Sequence, residues 1–429
     1  MSNQQPTSPS GAILVIGGGI AGMTVAVEAA ETGREVWLVE KTPTLGGRVA
    51  RMFKYFPKLC PPACGLEINY QRLRKNHGRV HVLTLAQVEK IDGKPGAFEA
   101  TLRMDPRFVN EKCTICGECA KVCPVERPND FNANLDKTRA IYLPHEMAYP
   151  PRYVIDAAVC PGASCGKCLA ACKYAAIELN MAPKRMKIAV GAVVVATGWA
   201  PFDAKALDNL SFGVAKNVIT NAVMERLASP NGPTKGRIVR PSDGQPPRRV
   251  VFVQCAGSRD VNHLPYCSGV CCLVSLKQAA YVREQIPESK AQVFYIDLRA
   301  SGVYEDFLTR IQADENVTVK KGKVAKITEN AATGELDIEV EDVLGAGKMR
   351  VKADLAVLAT GMVPSIKAAP LPFEMTCDEY GFCAGNGHQA PGLIAAGTAK
   401  APTDVATAIQ DATGAALKAI QILRNGLRP

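Results

Sequence analysis

The sequence predicts an α/β protein: a nucleotide-binding domain assembled from separated pieces, a cysteine-rich module inserted into it, and a second α/β domain. Three observations carry this. A strand, a glycine turn and a helix open the chain at Ala12; two apolar strand-to-turn segments, AVVVATG (192–198) and LAVLATG (355–361), follow far downstream; and two runs of four cysteines lie between them and the opening, from 113 to 172. Short apolar strands alternating with helical stretches are the pattern of α/β folds.

Length and composition bound the reading. The 429 residues suffice for two or three domains with their own cores, and an apolar fraction of 47% is ordinary for a globular chain. The start, MSNQQPTSPS, lacks the charged-then-apolar order of a signal peptide, and the longest apolar run, 188–200, is too short to cross a bilayer, so a cytoplasmic location is expected. Sixteen cysteines, most of them in tight groups, then point to metal or cluster ligation rather than disulfides. The net charge of +10 comes without a run of five or six basic residues or an aromatic platform, which sets nucleic acid aside and leaves a basic surface suited to an acidic partner. No internal repeat is present.

The first element reads AILVIGGGIAGMTVAVEAAETGREVWLVEK. Gly17, Gly19 and Gly22 have the spacing that gives a tight turn, room for a pyrophosphate against the backbone, and close helix-to-strand contact. The strand at Val36–Val39 ends in Glu40, placed to bind ribose hydroxyls, and the helix N-terminus faces the phosphates.

The strongest local signal is EKCTICGECAKVCP. Cys113, Cys116, Cys119 and Cys123, followed by Pro124, reproduce C-x2-C-x2-C-x3-C-P, the ferredoxin spacing. A second run gives Cys160, Cys165, Cys168 and Cys172, with a first gap of four residues and Lys173 in place of the proline. In this pattern the fourth cysteine reaches the other cluster, so the expected sets are Cys113, Cys116, Cys119 and Cys172 for one [4Fe–4S] cluster, and Cys160, Cys165, Cys168 and Cys123 for the other. One or two structural zinc sites are the alternative for the same eight thiols.

Further on, the strand at 249–253 is followed by Gln254-Cys255-Ala256-Gly257-Ser258, where a nicotinamide domain would carry its glycine loop. Cys255, Cys267, Cys271 and Cys272 read equally as four cluster ligands or as small buried residues. Cys60 and Cys64, in LCPPACG, are candidates for a redox dithiol, although C-x3-C with two prolines suits shape more than exchange. Cys377 and Cys383 read as plain residues of a glycine-rich loop, and His145 and His263 as hydrogen-bonded structural residues. The prolines of 142–156 make that segment extended, fit to wrap a partner, and 229–249 reads as a mobile basic loop and docking site.

Resemblances sharpen these readings. Leu45-Gly46-Gly47-Arg48, a second glycine turn after Glu40, resembles the two-dinucleotide-domain, thioredoxin-reductase-like flavoproteins, as do the two ATG segments and GLIAAGTAKAPTDVATAIQDATGAALKAI near the C-terminus. That likeness implies FAD rather than NAD, held by Gly17, Gly19, Gly22, Glu40, Lys41, Gly47, Arg48, Thr197, Gly198, Gly397 and Thr398. Thr398 stands where such flavoproteins usually carry an aspartate. The stretch QCAGSRD…YCSGVCCLVSLKQA is similar to the flavoprotein A subunits of heterodisulfide reductases, which implies a third [4Fe–4S] cluster on Cys255, Cys267, Cys271 and Cys272.

RVARMFKYFPKLCPPACGLEINYQRL and YLPHEMAYPPRYVID resemble the A subunits of quinone-interacting membrane-bound oxidoreductase complexes, and this likeness covers nearly the whole chain. It implies a component of dissimilatory sulfur metabolism that passes electrons between membrane quinone and adenylylsulfate reductase. Its partners would be sister subunits carrying flavin, clusters and haem, and they would hold it at the inner membrane. Rival readings are an NAD(P)H-dependent flavin dehydrogenase feeding clusters, a flavin component of a disulfide or heterodisulfide reductase, and a redox-silent scaffold. The expected domains are 11–104, 182–204 and 352–427 for FAD, 105–181 for the ferredoxin-like insertion, and 205–351 for a degenerate nucleotide-binding domain carrying the third cysteine group.

Overall fold

The computed structural model describes residues 11–342 and 347–426. They divide into two units, one of residues 11–199, 364–401 and 405–426, the other of residues 200–363 and 402–404.

The first unit opens with β1 (Ile13–Ile16), the glycine turn and α1 (Ile20–Glu31), then β2 (Val36–Glu40), α2 (Pro62–Lys75) and β3 (Val80–Thr84). An antiparallel hairpin follows, β4 (Ala86–Lys94) and β5 (Ala97–Met104). The chain then leaves for the cysteine-rich module, whose one-turn helices are α3 (Glu118–Lys121) and α4 (Lys167–Ala171). It returns along β6 (Lys184–Val190), antiparallel to β5 from Lys184 opposite Met104 to Val190 opposite Phe98. The module is thus an excursion between neighbouring strands of one sheet. β7 (Ala192–Val195) follows at once.

The second unit contains β8 (Val218–Thr220), α5 (Asn221–Ala228), β9 (Arg249–Ala256), α6 (Cys271–Gln285), β10 (Lys290–Tyr295), α7 (Tyr304–Gln312) and β11 (Val317–Lys321). An antiparallel meander, β12 (Lys323–Glu329), β13 (Leu336–Asp342) and β14 (Gly347–Ala353), leads to β15 (Leu355–Thr360). The parallel order is β8–β15–β9–β10–β11.

The chain re-enters the first unit with β16 (Leu393–Ala395) and α8 (Val405–Gly426), completing the parallel sheet β16–β7–β1–β2–β3. Both faces of this sheet are covered, which is why β1 and β7 read ILVI and AVVV without a polar residue. Alternation along β1 divides the two cores: Ile13 and Val15 pack with α1, α2 and α8, while Leu14 and Ile16 pack with Val88, Phe98, Leu102 and Val190 of the antiparallel sheet. α1 lies between sheet and neighbouring helices, so it is apolar around most of its circumference.

The fold is the expected one, with three differences of detail. LAVLATG is an inner strand of the second unit, paired with both β8 and β9, so the last piece of the first unit starts at Pro364 rather than 352. The vicinal cysteines of the third group lie inside a helix rather than in the loop before it: α6 begins at Cys271, and both Cys271 and Cys272 are buried in its first turn. The loop 229–249 is tied down: Ile238 is buried, its N–H donates to Gln285 Oε1 (3.0 Å), and Gln285 Nε2 donates to Gly236 O (2.9 Å).

Candidate functional site

The glycines of the first turn have different tasks. A Cβ on Gly17 (φ 111°) would stand 2.4 Å from the Ala196 carbonyl oxygen, and one on Gly22 would stand 1.8 Å from that of Gly17. These two serve strand-to-strand and helix-to-strand packing. Gly19 differs, since a Cβ there would meet no protein atom within 4 Å. It sits at the N-terminus of α1, where no side chain caps the first-turn amides and the helix dipole is positive.

The second glycine turn is laid against the first. Gly46 N–H donates to Gly18 O (2.9 Å), and a Cβ on Gly47 (φ 54°) would lie 2.9 Å from Gly19 Cα. Glu40 accepts from Gly18 N–H (2.7 Å) and Thr42 N–H (2.8 Å), which fixes the carboxylate and leaves each oxygen a lone pair for a ribose hydroxyl. Lys41 beside it is exposed.

Arg48 donates Nε–H to Trp199 O (3.2 Å), and its guanidinium stands 5.5 Å over the Trp199 ring. Burial pushes its pKa down to about 10, with Arg51 adding to the effect, and among the described residues no carboxylate neutralises it. Thr197 presents a buried hydroxyl that finds no partner among the described residues. A Cβ on Gly198 (φ 68°) would lie 3.6 Å from Thr398 Oγ1, and one on Gly397 (φ 62°) would lie 2.7 Å from Ala21 Cβ. The turns after β1, β2, β7 and β16 therefore converge on one cradle. An open helix end, an uncompensated cation and an unpartnered hydroxyl fit a dinucleotide such as FAD.

In the inserted module each expected ligand set rings its own cavity. Cys113, Cys116, Cys119 and Cys172 line one, and Cys123, Cys160, Cys165 and Cys168 line the other. The exchange of fourth cysteines follows from local geometry. Gly117 (φ 84°) and Gly166 (φ 55°) each start a one-turn helix that carries the third cysteine of its run, and Cys123 and Cys172 follow those helices. Val109 bridges Ile177, so the two runs are drawn side by side over Ile141, Ile155 and Ala176.

Burial pushes Cys119 up to about 12, with Cys113 the next contributor, and raises Cys168 with help from Cys160 and Cys123. A bound metal reverses that tendency by deprotonating its thiols. Backbone amides already point at two sulfurs: Gly162 N–H at Cys160 Sγ (3.4 Å) and Ala176 N–H at Cys172 Sγ (3.3 Å). Among the described residues no three Cys, His, Asp or Glu side chains are gathered closely enough to hold a single metal ion as they stand.

In the second unit Cys255, at the end of β9, holds φ 56°, a left-handed conformation that costs a non-glycine residue about 1–3 kcal/mol, beside a bulge between Val253 and Ala256. Burial pushes Cys255 up to about 11, with Cys272 and Cys267 adding to the shift, and raises Cys271, with Cys255, Cys272 and Cys267 adding. Gly269 N–H donates to Cys267 Sγ (3.3 Å), while Cys272 opens α6 beside Cys271. The four thiols thus gather between a strand end and a helix start, the place where a nucleotide domain keeps its phosphate loop.

Cys60 lies opposite Tyr55 in a single β-bridge, and Cys64 is exposed in the first turn of α2 behind Pro61 and Pro62. His145 stacks on Phe131 at 5.0 Å, and His263 meets Phe202 edge-on at 5.6 Å. The 142–156 segment wraps its own chain: Tyr149 stacks on Tyr70 at 5.1 Å, and its carbonyl accepts from Leu45 N–H (2.9 Å).

Two residues here carry no sequence signal. Arg107, buried, donates to Thr84 Oγ1 (2.7 Å), Arg152 O (3.3 Å), Tyr153 O (3.4 Å) and the Pro43 carbonyl, joining the module to the flavin half. Asp411, on α8, accepts from Gly397 N–H (2.7 Å) and pairs with Lys400 (2.5 Å). It brings a carboxylate to the turn whose next position, Thr398, has none.

Residues 12–73 match the family described as FAD dependent oxidoreductase. The chain is 39% identical over 418 residues to the iron-sulfur A subunit of the CoB–CoM heterodisulfide reductase of Methanocaldococcus jannaschii, covering 94% of this chain and 63% of that protein. It is 36% identical over 429 residues to the A subunit of the ferredoxin/F420H2-dependent CoB–CoM heterodisulfide reductase of Methanosarcina acetivorans, covering 96% and 53%. The chain therefore spans between about half and two thirds of the length of these homologues. Among solved structures, the thioredoxin reductases of T. acidophilum (TM-score 0.50, 14% identity) and Lactococcus lactis (TM-score 0.51, 13% identity) each align over 96% of this chain and 99% of their own. The fold is thus that of the thioredoxin-reductase-like FAD oxidoreductases.

Proposed function

We propose that this chain, a homologue of heterodisulfide reductase A subunits, is the FAD and iron–sulfur electron-transfer component of a multi-subunit oxidoreductase. The observation that carries the reading is the pair of cavities in the inserted module, each ringed by three cysteines of one run and one of the other. That is the ligand exchange of two-cluster ferredoxins. When bound, FAD would exchange electrons in pairs with one partner and singly with clusters.

The chain's own residues hold and tune. Gly19 and the first turn of α1 receive the pyrophosphate, Arg48 supplies its counter-charge, Glu40 orders the ribose, and Gly397 and Thr398 close the cradle. The amides of Gly162, Ala176 and Gly269 donate to Cys160, Cys172 and Cys267, a means of setting cluster potentials. Cys255, Cys267, Cys271 and Cys272 would hold the third cluster. No side chain is required to move a proton.

Within that class we place the chain in a quinone-linked complex of sulfur metabolism, exchanging electrons with adenylylsulfate reductase and held at the membrane by sister subunits. The support is the resemblance carried by residues 48–73 and 142–156. Among the described residues no helix is long and apolar enough to cross a membrane. The names of its homologues support instead a heterodisulfide reductase complex. Native purification separates the two: quinone reactivity together with a haem-bearing partner in the same complex supports the first, and CoB–CoM heterodisulfide reduction supports the second.

An anaerobic titration with NADH and then dithionite tests the common core. NADH is expected to leave the flavin oxidised, and dithionite to bleach it and give interacting [4Fe–4S] signals. Stoichiometric bleaching by NADH would replace this reading with a nicotinamide dehydrogenase.

A further inference from the structure

The cysteines at 377 and 383, plain residues on sequence grounds, face each other across a tight hairpin. Cys377 and Cys383 are partners in an isolated antiparallel bridge. The bonds flank the pair rather than join it: Asp378 N–H donates to Phe382 O and Ala384 N–H to Thr376 O, both at 2.8 Å. Such a non-hydrogen-bonded pair brings the two Cα atoms to about 4.5 Å, within the span that a disulfide bridges.

The accessibility of the two thiols differs. Cys377 Sγ donates to Met375 O (3.4 Å), and burial first, then the charge on the neighbouring Cys377, pushes Cys383 up to about 12. Cys383 is buried and Cys377 is exposed. The hairpin is held in this geometry from both ends. At its tip the Asp378 carboxylate accepts from Tyr380 N–H (3.0 Å) and Phe382 N–H (2.8 Å); at its base Gln389 bonds Thr376 in both directions (3.0 and 2.8 Å). Closing a disulfide here needs little ordering of the chain. Cys383 N–H donates to Ala399 O (2.8 Å), so the pair lies beside the 397–399 turn of the flavin cradle.

We propose that Cys377 and Cys383 form a reversible redox dithiol that takes low-molecular-weight disulfides as its oxidant. The exposed Cys377 thiolate attacks one sulfur of the disulfide, forming a mixed disulfide and releasing one thiol. Cys383 then attacks the Cys377 sulfur, giving up its proton and displacing the second thiol. Two protein thiols lose two electrons and two protons, and one external disulfide becomes two thiols. The site is independent of the flavin and cluster assignments.

The sequence makes the test direct, because the tryptic peptide 368–400 contains these two cysteines and no others. The full chain is equilibrated anaerobically with mixtures of reduced and oxidised glutathione, acid-quenched, denatured, alkylated and digested. The peptide is expected to carry two alkyl groups at reducing ratios, and to be unalkylated and two hydrogens lighter at oxidising ones. Cys383→Ala is expected to accumulate a glutathione adduct on Cys377, and Cys377→Ala to leave Cys383 unmodified. Two alkylatable thiols at every ratio would overturn the proposal. So would a parent protein that accumulates the same stable adduct as Cys383→Ala.

Discussion

Replacing Gly19 by alanine separates the role of the glycine turn in folding from its role in binding. Gly19 has φ −74° and ψ −175°, a backbone conformation open to any residue, and its added methyl meets no protein atom within 4 Å. The flavin-free protein should therefore keep its stability within about 0.5 kcal/mol. If the pyrophosphate lies over that face, the methyl enters its space, and overpacking typically costs about 1–3 kcal/mol. At about 1.4 kcal/mol per tenfold, FAD affinity should fall roughly 5- to 140-fold. Gly22→Ala makes the opposite demand, since its methyl would press on the Gly17 carbonyl oxygen from 1.8 Å and α1 would have to leave β1. That variant should lose about 3 kcal/mol or more before any ligand is added. Denaturant melts of flavin-free protein read the first quantity, and flavin fluorescence titrations the second. A Gly19→Ala protein of parental stability that binds FAD as tightly as the parent would refute the assignment of the open face to phosphate.

Three further outcomes are expected. Cys172→Ala should abolish the paramagnetic signal and iron of the cluster on Cys113, Cys116 and Cys119 while sparing that on Cys160, Cys165 and Cys168; the reverse loss would mean that the runs do not exchange ligands. Arg107→Ala leaves four acceptors of the joint between module and flavin half without their donor, and should cost about 2–4 kcal/mol by urea unfolding, with Arg107→Lys recovering only part because one ammonium cannot match the fork. Tyr70 is buried, bonded to Leu45 O (3.3 Å), and burial raises its pKa. The folded protein keeps that phenol protonated while the unfolded chain ionises above about pH 10, so stability present below that pH is lost above it, at about 1.4 kcal/mol per pH unit. Tyr70→Phe should make the alkaline limb of stability against pH shallower, and an unchanged limb would contradict the burial argument.

What could be read from the sequence follows from how local each feature is. Gly17, Gly19, Gly22 and Glu40 lie within one strand-turn-helix-strand unit, and the ferredoxin spacing within one loop, so neighbouring residues specify them. The 355–361 segment misled because its local pattern matches that of 192–198; only its partners, β8 and β9, assign it to the other unit. Arg107 bonds acceptors from Pro43 to Tyr153 and resembles any surface arginine in the linear text. Asp411 reaches Gly397 because α8 folds back beside its own preceding turn. The Cys377–Cys383 pair needed the hairpin register, which depends on Asp378 and Gln389 rather than on any cysteine spacing.

The exchange of Cys123 and Cys172 between the two cavities also bears on how the module can change over generations. If both cavities hold clusters, no single run of four is a self-sufficient unit of inheritance. Deleting either run takes three ligands from one site and one from the other, so a lineage cannot discard one cluster by simple erosion and keep its neighbour intact. The insertion between β5 and β6 should therefore be retained or decay as a whole. The short antiparallel sheet from which it departs is well placed to survive that loss, since its strands pair directly with each other.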